Sequence, residues 1–144
     1  MKTKFLVITA LLGLGMVMGL SSGVSANAAT WHRGTPSFLR GKYRKHIGSI
    51  GWPHKVKNYD WVTIRKNSVV QEAGGGDPAG INHIKYTYVG HHTYKFKGNL
   101  MIYGPQTVYA QIKYSGNKIA IKQGYVSHHK IHWYASIRGW HYKY

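Results

Sequence analysis

The sequence predicts an all-β fold, a small antiparallel β-barrel or sandwich, and three observations carry that expectation. Apolar and polar residues alternate with period two through the middle and end of the chain, as in half-buried strands. Short runs of this kind are separated by Gly, Asn, Asp and Pro, the residues of tight turns. Only about 116 residues remain once an N-terminal apolar segment is set aside, which suits one domain of several short strands.

That N-terminal segment has three parts. Lys2 and Lys4 form a basic head, Phe5 to Leu20 an apolar run, and Ser21 to Ala28 a tail of small residues. Ala26-Asn27-Ala28 fits the A-x-A cleavage rule, so residues 1–28 read as a secretory signal peptide cut after Ala28, with cutting after Ala26 as the alternative. The apolar run is barely long enough to span a bilayer, which needs about 20 residues. The expectation is therefore one secreted β-rich basic domain, residues 29–144, with no transmembrane anchor.

In the exported part, Thr35 and Pro36 are placed to cap and start one helical turn at Pro36 to Leu39. Strands are expected at Lys42 to Ile47, Trp61 to Arg65 and Ser68 to Glu72. Gly74 to Gly80 reads as a turn; no Lys-Ser or Lys-Thr follows to make a phosphate loop. Ile84, Tyr86 and Tyr88 share one face of the next run, and Tyr94 and Phe96 alternate with Lys95 and Lys97. Val108, Ala110, Ile112 and Tyr114 then define an inner face, followed after Ser115-Gly116-Asn117 by Ile119 and Ile121. These two runs are the clearest hairpin, because Gly and Asn tolerate the positive φ of such turns. Residues 128–137 fit either a last strand or a short helix, and the alternation of Ile131, Trp133, Ala135 and Ile137 favours the strand. Five tryptophans and twelve tyrosines supply large apolar surfaces for a core. Cysteine is absent, so that core must hold the exported domain without disulfides.

Charge narrows the function classes more than any motif. Twenty Lys and Arg stand against Asp60, Glu72 and Asp77, a formal net charge of +17. Such a surface attracts polyanions: wall polymers, anionic lipid, acidic glycans or nucleic acid. Export argues against a specific nucleic-acid partner, although phosphate attraction alone would give binding in vitro. The densest basic cluster is Arg40, Lys42, Arg44, Lys45 and His46. On a strand, Arg40, Lys42, Arg44 and His46 would project from one face at intervals of about 6.6 Å, a comb for repeating anionic groups. Aromatics interleaved with basic residues, Trp133 and Tyr134 and then Trp140 and Tyr142, suit contact with sugars or bases.

Other chemistry has little to build on. His128, His129 and His132, together with His91-His92, form the best metal-like grouping, but His129 occupies the glutamate position of an H-E-x-x-H site and a titrating surface cluster is the expectation. Gly48-Ser49-Ile50-Gly51 misses the G-x-S-x-G elbow because Ile47 stands at its first glycine. Three acids give no spaced carboxylate pair, and Asp60 and Glu72 read as partners for neighbouring lysines. No catalytic residue and no cofactor is expected.

Three resemblances add to this reading. Thr35-Pro36-Ser37-Phe38-Leu39-Arg40-Gly41-Lys42-Tyr43 resembles the opening of lipocalin-like (calycin) barrels, with Tyr43 where that family has Trp and Arg138 at the place of its late arginine. This resemblance implies a calycin-like barrel and, as an alternative function, a carrier of a small apolar ligand. Thr30 to Pro36 is similar to the mature start of small basic exported proteins of lactic acid bacteria, which implies compartment and cell type. Gly51-Trp52 and Gly139-Trp140 are similar to the hallmark of GW wall modules; chance alone gives about 0.6 such pairs, and core tryptophans beside turn glycines explain them as well.

The combined expectation is a secreted, non-catalytic protein, extracellular or loosely wall-associated, that binds an anionic wall or host-surface polymer. A cationic antimicrobial or membrane-active protein is the other alternative. N-terminal sequencing of the secreted protein is expected to begin at residue 29; a start before residue 26 refutes the processing scheme.

Overall fold

The computed structural model describes residues 29–102, 104, 106–134 and 139–144. The segment expected to be a signal peptide, residues 1–28, and Ala135, Ile137 and Arg138 of the sequence expectations lie outside the described residues. Strands follow in the order β1 (His32–Arg33), β2 (Gly41–Ile50), β3 (Val56–Arg65), β4 (Ser68–Ala73) and β5 (Ala79–Gly90). They continue as β6 (Thr93–Leu100), β7 (Thr107–Ser115), β8 (Lys118–Ser127), β9 (Lys130–Trp133) and β10 (His141–Lys143).

Eight of these strands close on themselves. The sheet runs β5-β4-β3-β2-β10-β8-β7-β6, and β6 pairs back to β5, making an antiparallel up-and-down barrel. β1 is added beside β5 and β9 beside β8. All these pairings fall within the compact unit Trp31–Tyr144, so this unit contains its own closure. A closed barrel leaves no edge inside the ring open to another strand.

Period-two patterning fills the interior. Val62 and Ile64 of β3, Val69 of β4, Ile81 and Ile84 of β5, Phe96 of β6, Ala110 and Ile112 of β7 and Ile119 of β8 are all buried. Their outward neighbours on β6 to β8 are mostly Lys, Gln and Tyr. The expected inner face Val108, Ala110, Ile112 is found, and the expected hairpin pairs Ser115 with Lys118 across Gly116, whose φ is +59°.

A helical turn forms at Ser37–Leu39, but its capping differs from the expectation. Pro36 is the residue before the helix, and the Thr35 hydroxyl donates to the Arg65 carbonyl at 2.8 Å instead of capping. The Arg40 guanidinium donates in turn to Thr35 O at 2.7 Å and Oγ1 at 3.2 Å. The turn lays Leu39 on the core and Phe38 against the rings of Tyr94 and Tyr114. Tyr43, also buried, donates its hydroxyl to the Leu39 carbonyl at 2.9 Å, and burial raises its pKa above the ordinary tyrosine value of 10.0.

Tryptophan is where the expected core and the observed one part. None of the five is in the buried core: Trp52 is 90 % exposed, and Trp31, Trp61, Trp133 and Trp140 are half-buried. An eight-stranded barrel encloses a space that smaller side chains fill, so the indoles lie outside. The same correction applies to the Gly-Trp pairs: Gly51 and Gly139 are turn glycines with φ of +96° and +110°, but Trp52 is no core residue.

The histidines also divide by structure. His91 and His92 (φ +50° and +55°) are the central residues of the β5–β6 turn, and His128 and His129 (φ +50° and +61°) those of the β8–β9 turn. Two-residue hairpin turns of this kind need positive φ at both central positions, and His is among the few non-glycine residues enriched there. His-His thus does the work of Asn-Gly.

His141 is the exception, being fully buried inside the barrel. Its Nε2 lies 2.5 Å from Asp60 Oδ2, and both side chains are 0 % exposed. Asp60 was expected to partner surface lysines; it instead accepts from His141 on β10 and from Gln71 Nε2 on β4 at 2.7 Å. Gln123 of β8 donates to Gln71 Oε1 at 3.1 Å, so one polar layer links four strands across the interior. Among the described residues, Asp60 Oδ1 and His141 Nδ1 have no hydrogen-bond partner. Replacing His141 by Ala strands the Asp60 carboxylate in the core, a change that costs about 3–5 kcal/mol where a buried pair is broken. Urea unfolding of H141A is expected to show a loss in that range, and a loss below about 1 kcal/mol would rule out a structural role for the pair.

Candidate functional site

Of the expected anion comb, the structure brings three residues to one outer face. Lys42, Arg44 and His46 are exposed and alternate along β2. Arg40 precedes the strand and its guanidinium is committed to Thr35. Lys45 takes the opposite parity, with Tyr43, and its Nζ lies 2.7 Å from where a Cβ on Gly139 would stand. Arg44 is held between rings, 4.9 Å from the centroid of Tyr59 and 4.7 Å from that of Tyr144.

A larger basic face lies elsewhere on the barrel. Register places Arg33 of β1 opposite Lys85 of β5, and Lys85 opposite Lys97 of β6. Three cations therefore stand side by side on adjacent strands, about 4.8 Å apart. The same row continues into Tyr109 of β7, Gly124 of β8 and Trp133 of β9. Two residues along β6, Lys95 faces Gln111, which faces Lys122. Gly124 is required in this row, because a Cβ there would meet the His132 carbonyl at 2.5 Å.

Aromatic rings orient several of these lysines. Lys97 Nζ lies 4.2 Å from the Trp31 ring centroid, Lys122 4.3 Å from Trp133, and Lys95 5.4 Å from Tyr109. The ring faces attract the ammonium groups while leaving them at the surface. No carboxylate lies within ion-pairing reach of Arg33, Lys85, Lys95, Lys97 or Lys122 among the described residues. Like charges directly opposite on neighbouring strands repel, so the positive charge of this face is not neutralised within the described residues. Local alternation marks Lys95 and Lys97 as polar positions of a strand but does not reveal the face, because the register of β1, β5 and β6 cannot be read from it.

The expected aromatic contacts are spread around the barrel. Trp133 belongs to the basic face. Tyr134 is exposed and packs on Tyr125 at 5.5 Å. Trp140 carries Lys118 Nζ at 4.8 Å and borders a pocket of about 350 Å³ with His92, Lys113 and Tyr114. Tyr142 is exposed on β10, between Arg44 and Lys118. A second pocket, of about 190 Å³, is walled by Leu100, Ile102, Val108 and Tyr134 and touches Gln123 of the interior polar layer.

His128, His129 and His132 lie at and after the β8–β9 turn. His128 Nδ1 is 2.9 Å from Ser127 Oγ, and His132 Nε2 is 3.3 Å from Ser127 O. Among the described residues no three His, Cys, Asp or Glu side chains converge to hold a metal ion, and no helix is long and apolar enough to cross a membrane.

Comparison of the chain with protein-family models, with curated proteins and with solved structures finds no match.

If the row of cations is strained by its own charge, removing its middle member should relieve it. Lys85→Thr is expected to raise stability by about 0.2–1 kcal/mol at low ionic strength. The gain should shrink at 1 M salt, where the screening length is about 3 Å. Thermal unfolding at the two salt concentrations checks this; a gain independent of salt would assign it to strand propensity instead.

Proposed function

We propose that this is a secreted, non-catalytic surface protein that binds anionic polymers of the bacterial wall or of a host surface. One observation carries the reading: the in-register cations Arg33, Lys85 and Lys97, extended by Lys95 and Lys122, have no carboxylate near them and are interleaved with Trp31, Tyr109 and Trp133. Lysine gives strong, weakly directional attraction to phosphate-like groups, and the rings offer flat faces to sugar or polyol units. Five or more such contacts, rather than one tight site, would supply the affinity.

A calycin-like carrier draws less support. The barrel interior is occupied by Phe96, Ile81, Ile64 and Ile112 together with the polar layer, and of that interior the pocket of about 190 Å³ touches only Val108 and Gln123.

Histidine sets the expected pH response. Nine of the ten histidines are exposed and only His141 is buried, so nine rather than ten can meet a bound polymer. Retention on purified teichoic acid is expected to strengthen from about pH 7.5 to 5.5 and to weaken with salt at either pH. The variant Lys85→Gln/Lys95→Gln/Lys97→Gln should elute at clearly lower salt than Lys42→Gln/Arg44→Gln. Retention insensitive to salt and pH would reject electrostatic binding, and equal elution of the two variants would reject the β5–β8 face.

A further inference from the structure

The β2–β3 hairpin leaves the barrel. β10 accompanies β2 at Tyr43 and Arg44, and β4 accompanies β3 as far as Asp60, after which the Gly74 N–H donates to the Tyr59 carbonyl at 3.0 Å. Beyond these points the two strands pair with each other alone, through Gly48 with Asn58, Ser49 with Lys57 and Ile50 with Val56, after an irregularity between His46 and Gly48. Every residue from 48 to 57 is exposed, so neither face of this ribbon rests on the domain. Three residues at the strand rise carry it about 10 Å outward.

Its tip is apolar. Trp52 is 90 % exposed, Val56 58 % and Ile50 49 %, and Ile50 and Val56, directly opposite each other, share a face. Lys57 pairs with Ser49 on the other face, and His54 and Lys55 stand beside the turn. The acid nearest in sequence is Asp60, which is buried inside the barrel. An exposed indole, two aliphatic side chains and a rim of cations without acids form a projecting tip, not a groove.

We infer that this tip docks on lipid bilayers bearing anionic headgroups, with Trp52, Ile50 and Val56 entering the interface and Lys55 and Lys57 meeting the phosphates. Trp sits preferentially at the boundary between hydrocarbon and headgroup. Interfacial elements bury their apolar face about 5–10 Å deep, a depth the ribbon can reach. Each Lys near an anionic surface adds to the attraction. A convex apolar tip is fully covered by a fluid surface, and its rim charge complements that surface. The inference stands on β2 and β3 and does not depend on polymer binding by the other wall.

The test is co-sedimentation of the chain from residue 29, which contains the whole closed barrel, with vesicles of phosphatidylcholine alone or mixed equally with phosphatidylglycerol. Binding is expected for the mixed vesicles only. Trp52→Ala should weaken it about tenfold, the change given by about 1.4 kcal/mol, with unchanged thermal stability and unchanged retention on teichoic acid. Lys55→Gln/Lys57→Gln should weaken it further as salt is lowered, where the lost charges count most. Binding to mixed vesicles that ignores Trp52→Ala would assign lipid attraction to overall charge and overturn the inference. Absence of vesicle binding also overturns it, leaving the tip to a groove on a partner protein. Failure on teichoic acid with Trp52-dependent vesicle binding would refute only the polymer reading.

Discussion

The barrel is completed by a strand of three residues, His141–Lys143, and the contact that seats it is the His141–Asp60 pair. Backbone pairing alone gives β10 little hold: it meets β2 and β8 at two residue pairs each. His141 adds a side chain directed into the core, bonded to a carboxylate whose own place is set by Gln71 and, through it, Gln123. Four strands from distant parts of the chain thus share one polar layer. Desolvating an ionisable pair is expensive, and its value lies as much in fixing register as in net stability. An apolar pair at these positions would tolerate a shift of β10; a buried carboxylate whose partners on β10 and β4 are fixed in place tolerates it poorly.

Closure has a second consequence for a chain with so few acids. Asp60 is spent inside, which leaves Glu72 and Asp77 to face the cations outside. The surface therefore cannot neutralise itself by ion pairing. Repulsion is reduced instead by distance around a cylinder and by laying ammonium groups on aromatic rings, as with Lys97 on Trp31 and Lys122 on Trp133. Tryptophans placed outside serve this arrangement in a way that a tryptophan core could not.

Local patterning made much of the barrel legible. The run Val108 to Tyr114, the Gly116-Asn117 turn and Ile119 to Ile121 state strand, turn and strand in adjacent residues, and the structure follows them. What stayed hidden depends on long-range pairing. Asp60 and His141 are 81 residues apart, and nothing near either announces the other. His91-His92 and His128-His129 suggested a metal or a pH response because histidine is read first for its ring chemistry. Their backbone role is set by the two-residue spacing between Gly90 and Thr93 and between Ser127 and Lys130, visible only once the strands are paired. The comb on β2 was half legible: alternation placed Lys42, Arg44 and His46 together, while the engagement of Arg40 by Thr35 and the inner parity of Lys45 required the fold.

Circular order also determines how the two surfaces relate. Around the ring, β6 and β7 stand four strands from β2 and β3 respectively, so the basic face and the Trp52 ribbon occupy opposite walls of the same barrel. Sites this far apart, with no shared side chains, contribute to binding independently. A polymer held along β5 to β8 would leave the ribbon free, and a ribbon docked on a bilayer would leave the cations of the other wall directed away from it. One small domain can in this way present two unlike surfaces without compromise between them, because the closed sheet that separates them is held by its interior and asks neither surface for stability.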